Sequence, residues 1–147
     1  MKSAERDACA LAGLRVIIIE DEAMLALCLG EVIEDEGFVV VGTAGTLAEA
    51  HSLATTAAFD VAIVDLHLYG QKADDVAASI VRSGHAVIIS TGSDASAVPA
   101  AFHQWPVLRK PYGDAEIVSA IKSAAETRSL QDPHRSLEPC SEQIGSG

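Results

Sequence analysis

Basic residues, cysteines and long apolar runs are all scarce in this chain, and each shortage excludes a class of function. Ten Lys and Arg stand against 21 Asp and Glu in 147 residues, a formal net charge of −11. A field of that sign repels phosphate backbones and anionic membrane surfaces, so no direct nucleic-acid contact is expected. The three cysteines, Cys9, Cys28 and Cys140, lie far apart and form neither a CxxC pair nor a Cys/His metal spacing. They read as free thiols of a reducing compartment, with Cys28 a small buried hydrophobe. Apolar runs such as Val16–Ile19 stay far below the ~18 residues that could cross a bilayer. Met1–Leu14 is broken by Lys2, Glu5, Arg6 and Asp7 and lacks the apolar stretch of an export signal. A cytoplasmic location without membrane insertion is therefore expected. No Gly-x4-Gly-Lys-Ser/Thr stretch exists, which excludes a P-loop nucleotide hydrolase.

What remains is an ordinary globular composition, 49% hydrophobic and 21% charged, sized for one compact domain that folds without disulfide or metal. Short β-branched runs alternate with alanine-rich segments of helical period, the pattern of parallel strands joined by crossover helices. Five such runs are present: Leu14–Ile19, Phe38–Val41, Asp60–Asp65, Ala86–Ser90 and Val107–Leu108. The first is apolar at nearly every position, as a strand is when helices cover both its faces. The expected fold is α/β, a doubly wound five-stranded parallel sheet with helices on both faces.

Four helices fit between and after these strands. Glu22–Glu36 places Leu25, Cys28 or Leu29, Val32 and Ile33 on one stripe, leaves Glu34, Asp35 and Glu36 to solvent, and ends at Gly37. Thr46–Ala57 opens with a hydroxyl cap and Glu49 three residues on, a capping-box pattern. Ala73–Arg82 and Asp114–Arg128 carry further apolar stripes. Ser93–Gln104 contains Pro99, which cannot donate to a helix ladder, so a short or irregular turn is expected there. Residues 1–13 read as an extension and 14–128 as the domain. Ser129–Gly147, with two prolines, two glycines and four serines, reads as a flexible tail too poor in apolar residues to offset its ordering entropy.

In an open parallel sheet, ligands gather where loops leave the carboxyl ends of the strands. Here those ends read Glu20-Asp21, Asp65, Ser90-Thr91-Gly92 and Arg109-Lys110-Pro111. Converging carboxylates repel unless a cation or protons intervene, and hard oxygen donors without thiolate or imidazole favour Mg²⁺ over Zn²⁺. A lysine and a threonine hydroxyl beside such a site suit phosphoryl transfer to a carboxylate.

The four segments Ile17–Glu22, Val61–Leu66, Ile88–Gly92 and Leu108–Tyr112, in this order and each at a strand end, resemble a response-regulator receiver domain of two-component signalling, of the stand-alone type. The resemblance covers about residues 14–127 and implies a flavodoxin-like receiver fold. It implies that Asp65 is the phosphoacceptor, with Thr91 contacting the phosphoryl group and Lys110 pairing with it. It implies a Mg²⁺ site made of Asp21, Asp65 and the backbone carbonyl of His67, with Glu20 acting through a bound water. Pro111 matches the cis proline that often follows the lysine.

Two features depart from the family pattern. The position three before the lysine, often Tyr or Phe, is Val107, and neither Trp105 nor Tyr112 occupies the same place; the span from Thr91 to Lys110 is also short. The partners implied are a sensor histidine kinase or phosphotransfer protein and a downstream protein target, with the receiver a monomer or weak dimer. Ser129–Gly147 leaves no room for a DNA-binding output domain, so output through protein contacts is expected. Two alternatives stand beside this reading. One is an unphosphorylated docking module of the same fold. The other is an aspartyl-nucleophile phosphatase, for which a second Asp two residues after the nucleophile is wanted where His67 stands. His51, His85, His103 and His134 read as surface residues, Trp105 as local packing and Arg109 as an outer-face charge.

Overall fold

The computed structural model describes residues 13–92 and 98–131. Its central sheet has five parallel strands in the order β2-β1-β3-β6-β7: β1 Arg15–Ile19, β2 Val39–Ala44, β3 Val61–Asp65, β6 Ala86–Thr91 and β7 Val107–Arg109. Between β3 and β6 lies a two-stranded antiparallel hairpin, β4 His67–Leu68 with β5 Gln71–Lys72. Four helices complete the described fold: α1 Ala23–Asp35, α2 Leu47–Thr56, α3 Asp74–Arg82 and α4 Asp114–Gln131. The strand order reverses between β1 and β3, which is the switch point of a doubly wound sheet. The expected fold class is therefore the observed one.

Helices on both faces explain why strand residues alternate so little. Val16 to Ile19, Val61 to Val64 and Ala86 to Ile89 are all buried. The second strand runs farther than its apolar stretch, because Gly42 and Thr43 pair with Ile17 and Ile18 of β1 past a register shift at Val16/Ile17. Gly37 takes φ +92 and closes α1, the left-handed conformation that a glycine tolerates best. On α2, Thr46 Oγ1 accepts from the Glu49 amide at 3.1 Å, while Glu49 Oε1 reaches the Gly45 amide at 2.9 Å, one residue ahead of the reciprocal capping-box partner.

Cys28 is exposed, not buried. The buried stripe of α1 runs through Leu29 and Ile33, and Cys28 is one position, about 100°, away from it. His85 is likewise not a plain surface residue: it is half-buried and stacks on Phe59, ring centroids 4.2 Å apart. His51 and His103 are exposed, and His134 lies outside the described residues. Trp105 is buried, in keeping with local packing. Arg109 is exposed at the end of β7.

Before β7 the described part of the fourth connection holds a single 3-10 turn, Ala100–Phe102, which begins just after Pro99. Phe102 anchors that turn in the core. The expectation for Ser93–Ala97 lies outside the described residues, as do those for residues 1–12 and 132–147. Helix α4 continues past Arg128 to Gln131. Its last turns are fastened to the foot of the sheet. Arg128 Nη1 reaches Asp60 Oδ1 at 3.3 Å, and Arg15 Nη2 reaches the same oxygen at 3.2 Å.

Candidate functional site

Four strand ends deliver the site. The chain leaves β1 at Glu20-Asp21 and reaches the end of β3 at Asp65. Strand β6 ends at Ser90-Thr91, and β7 hands over to Lys110. Asp65 pairs with Ser90 in the sheet register, and the Lys110 amide donates to the Thr91 carbonyl at 2.9 Å, which sets the lysine at the same edge. The Lys110-Pro111 peptide bond is cis. Carboxylate oxygens of Glu20, Asp21 and Asp65 all lie within 4.8 Å of one another.

Lys110 ties the two deeper acids together. Its Nζ stands 2.8 Å from Asp65 Oδ2 and 2.9 Å from Glu20 Oε1, the second contact an ion pair outside hydrogen-bonding geometry. The Glu20 side chain is only 2% exposed and that of Asp65 9%. Burial, with the neighbouring Asp65 carboxylate, pushes Glu20 up to about 7, against the opposing pull of Lys110. Burial acts upward on Asp65 too, but there Glu20, Lys110 and the His67 amide outweigh it and hold the acid below its ordinary value. Lys110 loses some basicity to burial and regains more from the two carboxylates, so its charge is secure. Two acids in contact thus divide their roles: Asp65 stays ionised to lower pH, and Glu20 is the first of the pair to take up a proton as pH falls.

The short hairpin walls the site. The His67 amide donates to Asp65 Oδ1 at 3.0 Å, and the Tyr69 amide donates to Asp21 Oδ2 at 2.7 Å. Tyr69 and Gly70 form the two-residue turn, both with positive φ (50 and 78), as a type I′ hairpin requires. No residue pattern announces the hairpin, because Tyr-Gly lacks the Asn or Asp that usually marks such a turn. The His67 side chain points to solvent. Alongside the acids opens a cleft of about 510 Å³ lined by Asp21, Leu27, Thr43, Gly45 and Tyr69.

Of the residues singled out in the sequence, the structure brings Glu20, Asp21, Asp65 and Lys110 into one cluster. Thr91 is buried at the same edge, one register step past the partner of Asp65, and His67 contributes its amide. The donor set fits a hard divalent cation: oxygen ligands only, net negative charge, and a buried Glu20 whose Oε2 has no partner. Tyr112 is an addition. Its hydroxyl is buried beside Ser90 and within electrostatic reach of Glu20, Lys110 and Asp65, a placement that only the path of the chain into α4 reveals.

The sheet carries acids, a hydroxyl and a lysine together at its carboxyl edge, and residues 16–122 match the response regulator receiver domain. The chain belongs to that family, whose members are signalling modules of two-component systems and typically bind Mg²⁺ at an acidic pocket. It is 32% identical over 122 residues to the transcriptional regulatory protein PdtaR of Mycobacterium tuberculosis, covering 80% of this chain and 60% of that protein's length. The solution structure of SdrG from Sphingomonas melonis Fr1 superposes with a TM-score of 0.69 at 29% identity, covering 78% of this chain and 97% of SdrG. The response regulator PhyR from Brucella abortus shares the fold, with a TM-score of 0.71 at 22% identity over 92% of this chain and 58% of PhyR. No described helix is long and apolar enough to cross a membrane.

Proposed function

We propose that the chain is a phosphoacceptor switch in which Asp65 receives a phosphoryl group from a sensor histidine kinase or a phosphotransfer protein. The observation that carries this reading is the placement of Lys110 Nζ 2.8 Å from Asp65 Oδ2 inside a cluster of three carboxylates. Asp65 is ionised and so nucleophilic, and its Oδ2 already touches the cation that will face a phosphoryl oxygen. The Asp65 oxygen forms the new P–O bond as the donor's P–N bond breaks, and the departing imidazole keeps that electron pair. Glu20, Asp21 and Asp65, with the His67 carbonyl, would hold Mg²⁺, which when bound supplies positive charge for the phosphoryl oxygens. Thr91 is the hydroxyl at the strand end that follows the new charge.

Met24, Leu27 and Tyr69, 67%, 59% and 69% exposed, are large apolar side chains on and beside the cleft, a surface suited to a donor protein. Output runs through protein contacts made by the receiver, with a monomer or weak dimer as the working form. No nucleic acid is contacted directly, and the acidic net charge supports this. Incubation with Mg²⁺ and acetyl phosphate, followed by intact-mass measurement, tests the reading. One added phosphoryl group, lost in Asp65→Asn and on removal of Mg²⁺, is the expected result. Steady release of phosphate from esters would point to the aspartyl phosphatase, and an unchanged mass to a docking module.

A further inference from the structure

Four buried polar atoms at this site hold no hydrogen bond: Glu20 Oε1, which faces Lys110 as an ion pair only, Glu20 Oε2, Ser90 Oγ and Tyr112 Oη. The sheet register explains their proximity. Asp65 pairs with Ser90 across β3 and β6, and Glu20 follows Ile19, whose partner Val64 precedes Asp65. Residues in register on parallel strands project to the same face, so Glu20, Asp65 and Ser90 form a row across three strands. Tyr112, two positions past Lys110 on the way into α4, places its hydroxyl beside Ser90 and near Glu20.

Each hydroxyl has one hydrogen to donate, and buried groups of this kind almost always find an acceptor. The carboxylate oxygen of the row that has no partner at all is Glu20 Oε2. In the structure Lys110 serves two carboxylates at once. It can turn to a phosphoryl oxygen on Asp65 only by giving up Glu20, and it is repelled by any cation that shares the three acids. A glutamate with a side chain 2% exposed then loses its counter-charge, and a buried carboxylate without a donor is strongly disfavoured.

We propose that Tyr112 is a positioning residue for the acid site: its hydroxyl, backed by that of Ser90, takes over Glu20 as Lys110 leaves, and holds that carboxylate oriented for the metal's water. Ser90 Oγ–H donates to Tyr112 Oη, and Tyr112 O–H donates to Glu20 Oε2. The inference rests on the phosphoacceptor reading above for why Lys110 leaves, but its test does not require phosphorylation.

Calorimetric titration of the full chain with Mg²⁺ decides it, using wild type, Tyr112→Phe, Ser90→Ala and the double variant. Each single variant binds Mg²⁺ roughly tenfold more weakly, the loss expected for one hydrogen bond to a charged group. The double variant loses little more than either alone, because the hydroxyls act in series. Melting curves run in parallel separate this from a packing defect, and if Tyr112→Phe melts early, Ser90→Ala carries the decision. Affinity within about twofold of wild type in both single variants, or losses that simply add, overturns the proposal. A wild-type chain that binds Mg²⁺ yet takes no phosphoryl group from acetyl phosphate refutes the signalling reading instead, and leaves Tyr112 to be judged on the titrations.

Discussion

The amide of Tyr69 donates to Asp21 Oδ2 at 2.7 Å across 48 positions of sequence. This bond joins the tip of the β4–β5 hairpin to the more exposed acid of the cluster. It orients Asp21 by backbone geometry alone, so its integrity depends on the turn and not on the tyrosine side chain.

Gly70, at φ +78, is the position of that turn where a side chain is least tolerated. Gly70→Val should cost about 1–2 kcal/mol of stability and weaken Mg²⁺ binding several-fold, while Gly70→Asn, which tolerates the left-handed region, should keep both near normal. Chemical denaturation and calorimetry measure the two effects. A stability loss with unchanged Mg²⁺ affinity would show that the hairpin does not position Asp21.

Lys110→Met leaves two buried carboxylates facing each other without their cation. At pH 8, where Lys110 keeps Glu20 mostly ionised in the wild type, the variant must either bury an unpaired charge or take up a proton, and the loss of stability should reach about 3 kcal/mol in metal-free protein. Glu20 titrates in the folded protein near 7, above its unfolded range, so its protonated form favours folding. That contribution is present below about pH 4.3 and is lost as pH rises through 7. The deficit of the variant should therefore shrink by half or more on going from pH 8 to pH 5.5 in denaturant titrations. A deficit independent of pH would mean that the lysine acts through packing.

Asp60 joins Arg15 and Arg128 at the foot of the sheet. Burial alone would raise its pKa, but the hydrogen bonds from Arg15 and Arg128 lower it below the ordinary aspartate value. A lowered folded value means stability that is fully present above about pH 4 and lost as pH falls from there through the lower folded value. Asp60→Asn should cost about 2 kcal/mol at pH 7, mostly through the half-buried Arg128, since Arg15 is exposed and screened. The gap from wild type should narrow below pH 4 in urea titrations. An equal gap at both pH values would remove the ion pairs from the explanation.

The sheet and the acid cluster were legible because both follow from strand ends. Apolar β-branched runs mark the buried strands, and the residue after each run falls at the carboxyl edge whatever the exact boundary. The hairpin was hidden because Tyr69-Gly70 carries none of the usual side-chain signals, and its pairing rests on two short strands. The exposure of Cys28 runs against its residue type and follows from its angle to Leu29 and Ile33, the buried pair of the helix. The contact of Tyr112 with the site depends on how the chain turns between β7 and α4, which no periodicity records. The reach of β2 to Ala44 likewise depends on a register shift that the polar Thr43 and the small Gly42 conceal.

Helix α4 starts a few residues after Lys110 and is clasped at its other end by Asp60 through Arg128. Its 18 residues reach about 27 Å, longer than the six-residue strand β6 beside it, which spans about 20 Å. A rod pinned at its foot cannot slide to absorb a disturbance at its head; it has to pivot. A rearrangement of a few ångströms around the lysine would thus emerge as a tilt of the outer wall, broadest near Asp114 and fading towards Arg128.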